Sequence, residues 1–284
     1  MHASLSSAVR FVGHLVLASL VLCQAAQAAP ATEAGIREYF QVTGTEAHLN
    51  IATEAIKKGH EEAWRNERDP VQKESKKMLM DLFKEVASAD LTWEKLEPLA
   101  IASYQQELSD SDVQDMIAHA RSPAGKVTNQ KWIPALLGHL PAIQQYIKAA
   151  FSELNDGKGP PMPIPAMPPP GPNDALLQTF LRDIPGDREE FEERVTPMVM
   201  MAGVLARGDN TKNRTRRARA VAKVKQRLSF DNITALKARM LANVLSADEI
   251  NLLIEDNRRP QRQAQLRKVR QAEREFRERT PGVM

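Results

Sequence analysis

The chain has 284 residues, of which 26% are charged and 42% hydrophobic, and its formal net charge is +3. This composition excludes a disordered chain and a polytopic membrane protein, and the small net charge gives no indication of nucleic-acid binding. The single cysteine excludes an intrachain disulfide framework and a zinc site built from several thiolates.

Residues 1–28 have the pattern of a secretory signal peptide. Arg10 precedes an apolar stretch, 11–22, that is shorter than the roughly 20 residues needed to span a bilayer. Ala26-Gln27-Ala28 is a small-x-small cleavage motif, so we predict cleavage after Ala28 and a periplasmic or secreted protein without a transmembrane segment. Cys23 is removed with the peptide, and the mature chain then suits an oxidising compartment and lacks thiol catalysis.

The rest of the chain is predicted to be all-α, because apolar residues recur at three- and four-residue spacing and no long stretch alternates. Met78, Leu82 and Val86 form one such stripe. Ser109-x-x-Asp112 predicts a capping box at the start of a helix, and Ser122-Pro123 predicts an N-cap followed by proline at the first helical position. The tryptophans Trp64, Trp93 and Trp132 are expected to pack in the core of the first half.

A proline-rich segment divides the mature chain into two predicted helical-bundle domains, residues 29–155 and 173–284. The segment between them, 156–172, contains eight prolines and three glycines, a density that favours an extended linker. Residues 29–172 carry 15 basic and 20 acidic side chains, and residues 173–284 carry 23 and 16. The small total charge therefore conceals an acidic half of −5 and a basic half of +7, which could attract each other or face different partners.

The second half resembles the first at an offset of 137 residues. When Leu91 is placed over Leu228, the 33 aligned positions from 91 to 123 contain seven identical pairs and seven more conservative ones. The matched residues include helix caps, apolar stripe positions and the helix-starting proline, Pro123 over Pro260. We therefore predict that the two domains arose by duplication of one helical unit.

These residues also carry a resemblance to a family of exported bacterial proteins. Leu91-Thr92-Trp93-Glu94, Tyr104, the run 108–113 and Ser122-Pro123-Ala124-Gly125-Lys126 resemble the pattern of domain of unknown function 2059. The family-like unit covers about 75–135, with a divergent second copy in 173–284. The resemblance implies an α-helical periplasmic domain and supplies no catalytic residue.

Histidines and methionines are the candidates for chemistry, and neither set forms a recognised motif. The mature histidines are His48, His60, His119 and His139, and His119 replaces an expected apolar residue near a helix junction. Met198, Met200 and Met201 could provide thioethers for Cu(I), but we favour the interpretation that they fill a core. The sequence therefore predicts no catalytic residue, no metal site and no cofactor.

The strongest candidate for a binding site is a basic segment without any acid, residues 212–227. Positions 216, 219, 223 and 227 would share one face of a helix. An unbroken run of one charge is unusual for a solvated face, so the segment favours anion or partner binding, with an exposed face or docking onto the acidic half as alternatives. The predicted binding residues are Arg214, Arg216, Arg217, Arg219, Lys223 and Arg227.

The sequence favours a non-enzymatic interaction module of the cell envelope that binds an unidentified protein or an anionic surface, and it disfavours nucleic acid. The alternative is a helical enzyme that uses carboxylate and histidine chemistry on an envelope substrate. His119 in one pocket with two acids would favour the enzyme, whereas a continuous basic face would favour binding.

Overall fold

The predicted all-α fold is confirmed in the part of the chain that the structure describes. The computed structural model describes residues 29–154, 162–163, 165, 167–205 and 211–279, and its regular elements there are helices. The predicted signal peptide, 1–28, lies outside the described residues. The helices up to the proline-rich segment are α1 Glu33–Thr43, α2 Thr45–Arg65, α3 Pro70–Ala89, α4 Trp93–Glu107, α5 Asp110–Arg121, α6 Pro123–Val127, a π-helical turn Thr128–Trp132, α7 Ile133–Gly138 and α8 Leu140–Ser152. The later helices are α9 Asp174–Arg182, α10 Asp187–Leu205, α11 Thr211–Arg227, α12 Phe230–Leu241, α13 Ala247–Asn257 and α14 Pro260–Arg279.

Local capping signals set the starts of several helices. Ser109 and Asp112 form the predicted capping box at α5, and Ser246 and Glu249 form a second one at α13. Ser122 accepts a hydrogen bond from the Gly125 backbone N–H at 3.1 Å, which caps α6 as predicted. These contacts satisfy N–H groups that the first turn of a helix leaves without partners.

The described part of the proline-rich segment contains no helix. Residues 162–163, 165 and 167–172 are irregular, and 155–161, 164 and 166 lie outside the described residues. Gly171 lies so close to Ala242, the residue after α12, that a Cβ atom at Gly171 would lie 2.5 Å from the Cβ of Ala242. Asn173 donates a side-chain hydrogen bond to the Leu245 carbonyl at 3.1 Å, so this end of the segment is fixed against the second half.

Each of three apolar cores contains residues from both halves of the chain. Core 1 is built by α1, α4 and α5, and α14 of the second half completes it with Ala272, Val269 and Phe276. Core 2 is built by α9, α12 and α13, and residues from α6 to α7 of the first half complete it. Core 3 joins α8 to α10, α11 and α12. The proline-rich segment therefore separates two stretches of sequence, while the cores extend across both.

The position of Trp132 differs from the expectation that it packs in the core of the first half. Its ring lies edge-on against Phe180 of α9, with ring centroids 5.0 Å apart, in core 2. Trp93 does pack in core 1, against Phe40 at 5.3 Å. Trp64 is only partly buried and lies 5.8 Å from the Lys73 ammonium. The difference arises because α6 and the segment after it cross to the second half.

The helices of the two halves begin at corresponding positions. Helices α4, α5 and α6 begin at Trp93, Asp110 and Pro123, each 137 residues before the start of α12, α13 or α14. Equivalent packing accompanies this spacing: α1 contacts α4 and α5, and α9 contacts α12 and α13. The duplication itself stays a prediction, and this correspondence is what it leads one to expect.

Candidate functional site

The predicted basic segment forms helix α11, which the structure anchors at its C-terminal end. Val224 is fully buried and Val221 packs beside it in core 3, as expected for the apolar side of this helix. The Tyr146 hydroxyl of α8 donates a hydrogen bond to the Arg227 carbonyl at 3.2 Å. Helix α11 therefore has one side fixed against the rest of the molecule.

Two of the six predicted binding residues pair with the first half of the chain. Arg227 lies 2.5 Å from one carboxylate oxygen of Glu153, and Lys223 lies 3.6 Å from the other. Glu153 directly follows α8 and only 13% of its side chain is exposed. These contacts agree with the alternative in which part of the basic face docks onto the acidic half.

The remaining predicted residues lie nearer the start of α11. Arg219 is exposed and makes no ion pair with another described side chain. Arg214, Arg216 and Arg217 lie on the same helix, and their side chains are outside the described part of the structure. The structure therefore brings Lys223 and Arg227 together at Glu153 and leaves Arg219 in contact with solvent.

The methionines of α10 are exposed, so the interpretation that they fill a core is wrong. The exposed fractions are 47% for Met198, 63% for Met200 and 62% for Met201. Their neighbour Val199 is buried in core 3, which shows that one side of α10 is already occupied. The apolar run contains more hydrophobic side chains than one side of a helix can bury.

A buried contact between His119 and Asp256 joins α5 to α13. His119 Nε2 lies 2.7 Å from Asp256 Oδ2, and the exposed side-chain fractions are 15% and 7%. Arg262 and Arg259 also lie within 3.7 Å of this carboxylate. Burial alone would raise the pKa of Asp256, but the hydrogen bond from His119 and these cations outweigh it, and the pKa lies below its ordinary value.

This arrangement places one carboxylate, not two, in hydrogen-bond contact with His119 among the described residues. Two acids in one pocket with His119 would have favoured the hypothesis of histidine and carboxylate catalysis. Asp256 was not predicted as the partner of His119, although the sequence contains a signal for it. The two residues are 137 positions apart, so they occupy the same position in the predicted repeat, with an acid in the second half where the first has the histidine.

No match emerges when the chain is compared with models of protein families, with curated proteins and with solved structures. The resemblance to domain of unknown function 2059 accordingly stays a prediction. In the part of the chain that the structure describes, no helix combines the length and the apolar character needed to cross a membrane.

Proposed function

We propose that this protein is a non-enzymatic interaction module of the bacterial cell envelope, exported by its signal peptide, that binds an anionic surface through helices α10 and α11. The observation that carries the proposal is the exposure of Met198, Met200 and Met201 on a helix packed against a basic one. Exposed apolar side chains next to a basic helix are the combination that binds anionic lipid headgroups.

The two helices place these features near their connection. The methionines lie in the last turns of α10, and Arg214, Arg216, Arg217 and Arg219 lie in the first turns of α11. Lys223 and Arg227 lie further along and already pair with Glu153. We therefore assign surface binding to the first part of α11 and docking of the helix to its last part.

The proposal is tested with the double variant Arg216→Glu plus Arg219→Glu and anionic phosphatidylglycerol vesicles at low salt. Each basic residue near an anionic membrane contributes about 1 kcal/mol, so two charge reversals should weaken co-sedimentation by at least roughly tenfold. The matched control is Lys95→Glu plus Lys126→Glu, which makes the same charge change on exposed lysines of the first half. Circular dichroism establishes that each variant retains its helices.

Neutral phosphatidylcholine vesicles complete the test. We expect the wild-type protein to bind them weakly, and Met200→Ser plus Met201→Ser to weaken binding to anionic vesicles. Equal binding of the wild type and the arginine variant at low salt would overturn the proposal. So would an equal loss in the control, because net charge alone would then explain the interaction.

A further inference from the structure

A cavity of about 540 Å³ lies between helices of the first half, and its lining is rich in positive charge. Lys58 and His60 come from α2, Lys76 from α3 and Lys148 from α8, with His139 just before α8. Glu62 is the acidic residue of the lining. This is unexpected in the half of the chain whose net charge is −5.

The three lysines of the lining differ in whether they form ion pairs. Lys58 and Lys148 are exposed and make no ion pair with a described acidic group. Lys76 differs, because its ammonium contacts the Glu67 carboxylate, which lies outside the cavity lining. Three lysines and one acid, Glu62, line the cavity, so the potential there is positive, and a low-dielectric wall concentrates it.

His60 responds to this potential. Its ring packs against Phe83, with ring centroids 5.3 Å apart. Its pKa is lowered, first by partial burial and then by the positive charge of Lys148. The positive charge of Lys148 on α8 therefore acts on a side chain of α2 in the same cavity lining.

The rest of the lining includes an apolar surface. Ala63, Pro141, Ala142 and Met162 contribute to it. Helices α2 and α8 approach closely here, since a Cβ atom at Gly59 would lie 3.0 Å from the Cβ of Pro141. Met162 belongs to the proline-rich segment, and its backbone N–H donates to the Ser152 hydroxyl at 2.8 Å. Met162 is therefore held at the cavity beside the end of α8.

We propose that this cavity binds a small amphiphilic anion, a molecule with a carboxylate or phosphate group and a short apolar body. The anionic group would contact Lys58 and Lys148, and the apolar body would lie against Pro141 and Ala142. Small-molecule sites in proteins combine these features, a mainly apolar concave surface and a few polar groups that fix orientation. The site is separate from helices α10 and α11, so it does not depend on the proposed surface binding.

Isothermal titration calorimetry of the full chain with octanoate and octyl phosphate tests the proposal. Binding to the wild type is expected, and Lys58→Gln plus Lys148→Gln should weaken it by roughly tenfold or more, because hydrogen bonds to charged groups are the strong ones. The matched control, Lys77→Gln plus Lys95→Gln, removes the same charge from exposed lysines outside the cavity lining and should bind like the wild type. Octanoate and octyl phosphate together distinguish a carboxylate from a phosphate preference.

A second variant tests the shape of the site without changing its charge. Ala142→Phe should fill the apolar part of the cavity and reduce octanoate binding while the helical content is unchanged. Octanol should bind poorly because it lacks the anion, and inorganic phosphate should compete poorly because it lacks the apolar body. Retained octanoate binding in the lysine variant, or inorganic phosphate that competes as well as octanoate does, would overturn the proposal.

Discussion

The contact between His119 and Asp256 shows how one buried ionisable pair is accommodated between α5 and α13. A buried carboxylate is costly unless charged and hydrogen-bonding partners surround it. His119 donates from the first half, and Arg262 and Arg259 provide positive charge from the second. The carboxylate therefore links the halves, and its removal would leave His119 and Arg262 without their partner.

We expect Asp256→Ala to lower the free energy of unfolding by about 3 kcal/mol at neutral pH, because it breaks a buried pair. Since the folded pKa of Asp256 lies below its ordinary value of 3.8, the contribution is fully present above that value and is lost as the pH falls through the folded pKa. The difference between wild type and variant in urea denaturation should therefore shrink from pH 7 towards pH values below 3.8.

The control for this measurement is Glu255→Ala, one residue earlier on α13. Glu255 is exposed and makes no ion pair with a described side chain, so its removal should change stability by less than about 0.5 kcal/mol. A similar loss in both variants would show that the effect comes from the helix and not from the buried pair.

At the scale of helices, the sequence predicted the features that depend on neighbouring residues. The capping box of Ser109 and Asp112 and the cap by Ser122 were predictable because a cap needs residues only three positions apart. The docked side of α11 at Val221 and Val224 was predictable from the spacing of apolar residues. Spacing identifies an apolar face, but it does not identify what covers that face.

Helix α3 illustrates this limit. Its predicted stripe is helical, yet Met78 and Leu82 are 67% and 54% exposed, and Val71 and Leu79 are exposed too. The helix packs chiefly against α2, and Met80 is its buried residue. Which side of α3 meets the rest of the protein is decided by residues distant in sequence, and the local periodicity contains no information about them.

The exposure of this face predicts a contrast between two methionines. Met78→Ala should change the free energy of unfolding by less than about 0.5 kcal/mol, because its side chain already contacts water. Met116→Ala on α5 should cost about 2 to 5 kcal/mol, since Met116 is 1% exposed in core 1 and its removal leaves a cavity. Equal losses in thermal or urea unfolding would show that a partner or a second copy covers Met78 in solution.

For the whole molecule, the contacts between the halves repeat in pairs. Lys268 of α14 lies 2.6 Å from Asp112, the capping-box acid of α5, and Lys131 of the π-helical turn pairs with Glu249, the capping-box acid of α13. The two lysines are 137 positions apart, and so are the two acids. His119 and Asp256 have the same separation. Contacts that repeat in this reciprocal way are those of an isologous, two-fold interface, in which residue i meets j and j meets i.

This reciprocity supports the predicted duplication and explains the composition of the cores. Each half contributes the segment after its Ser-Pro or Arg-Pro corner to the core of the other half, α14 to core 1 and α6 to α7 to core 2. The sequence predicted equivalent positions from the offset of 137, but it left open whether the halves dock. An alignment of two segments states which residues correspond, and long-range packing decides which of them meet.

Cleavage of the proline-rich segment tests directly whether each half completes a core of the other half. A specific protease site inserted after Ala166 divides the chain into its two halves once the protein has folded. We expect the fragments to elute together in size-exclusion chromatography at micromolar concentration and in high salt. Ala272 of the second half and Trp132 of the first are each packed in a core built mainly by the other half, and apolar burial is not screened by salt.

Urea provides the reference for separate fragments, because unfolding removes all three cores and the two pieces should then elute apart. The same packing predicts that Ala272→Asp, which places a charge in core 1, weakens the association of the cleaved halves, so that they separate at a lower urea concentration than the wild-type fragments, while cores 2 and 3 still join them. Arg274→Asp is the matched control, because Arg274 is exposed on the same helix. Fragments that separate without denaturant, with each retaining its helical content, would show instead that each half completes its own core.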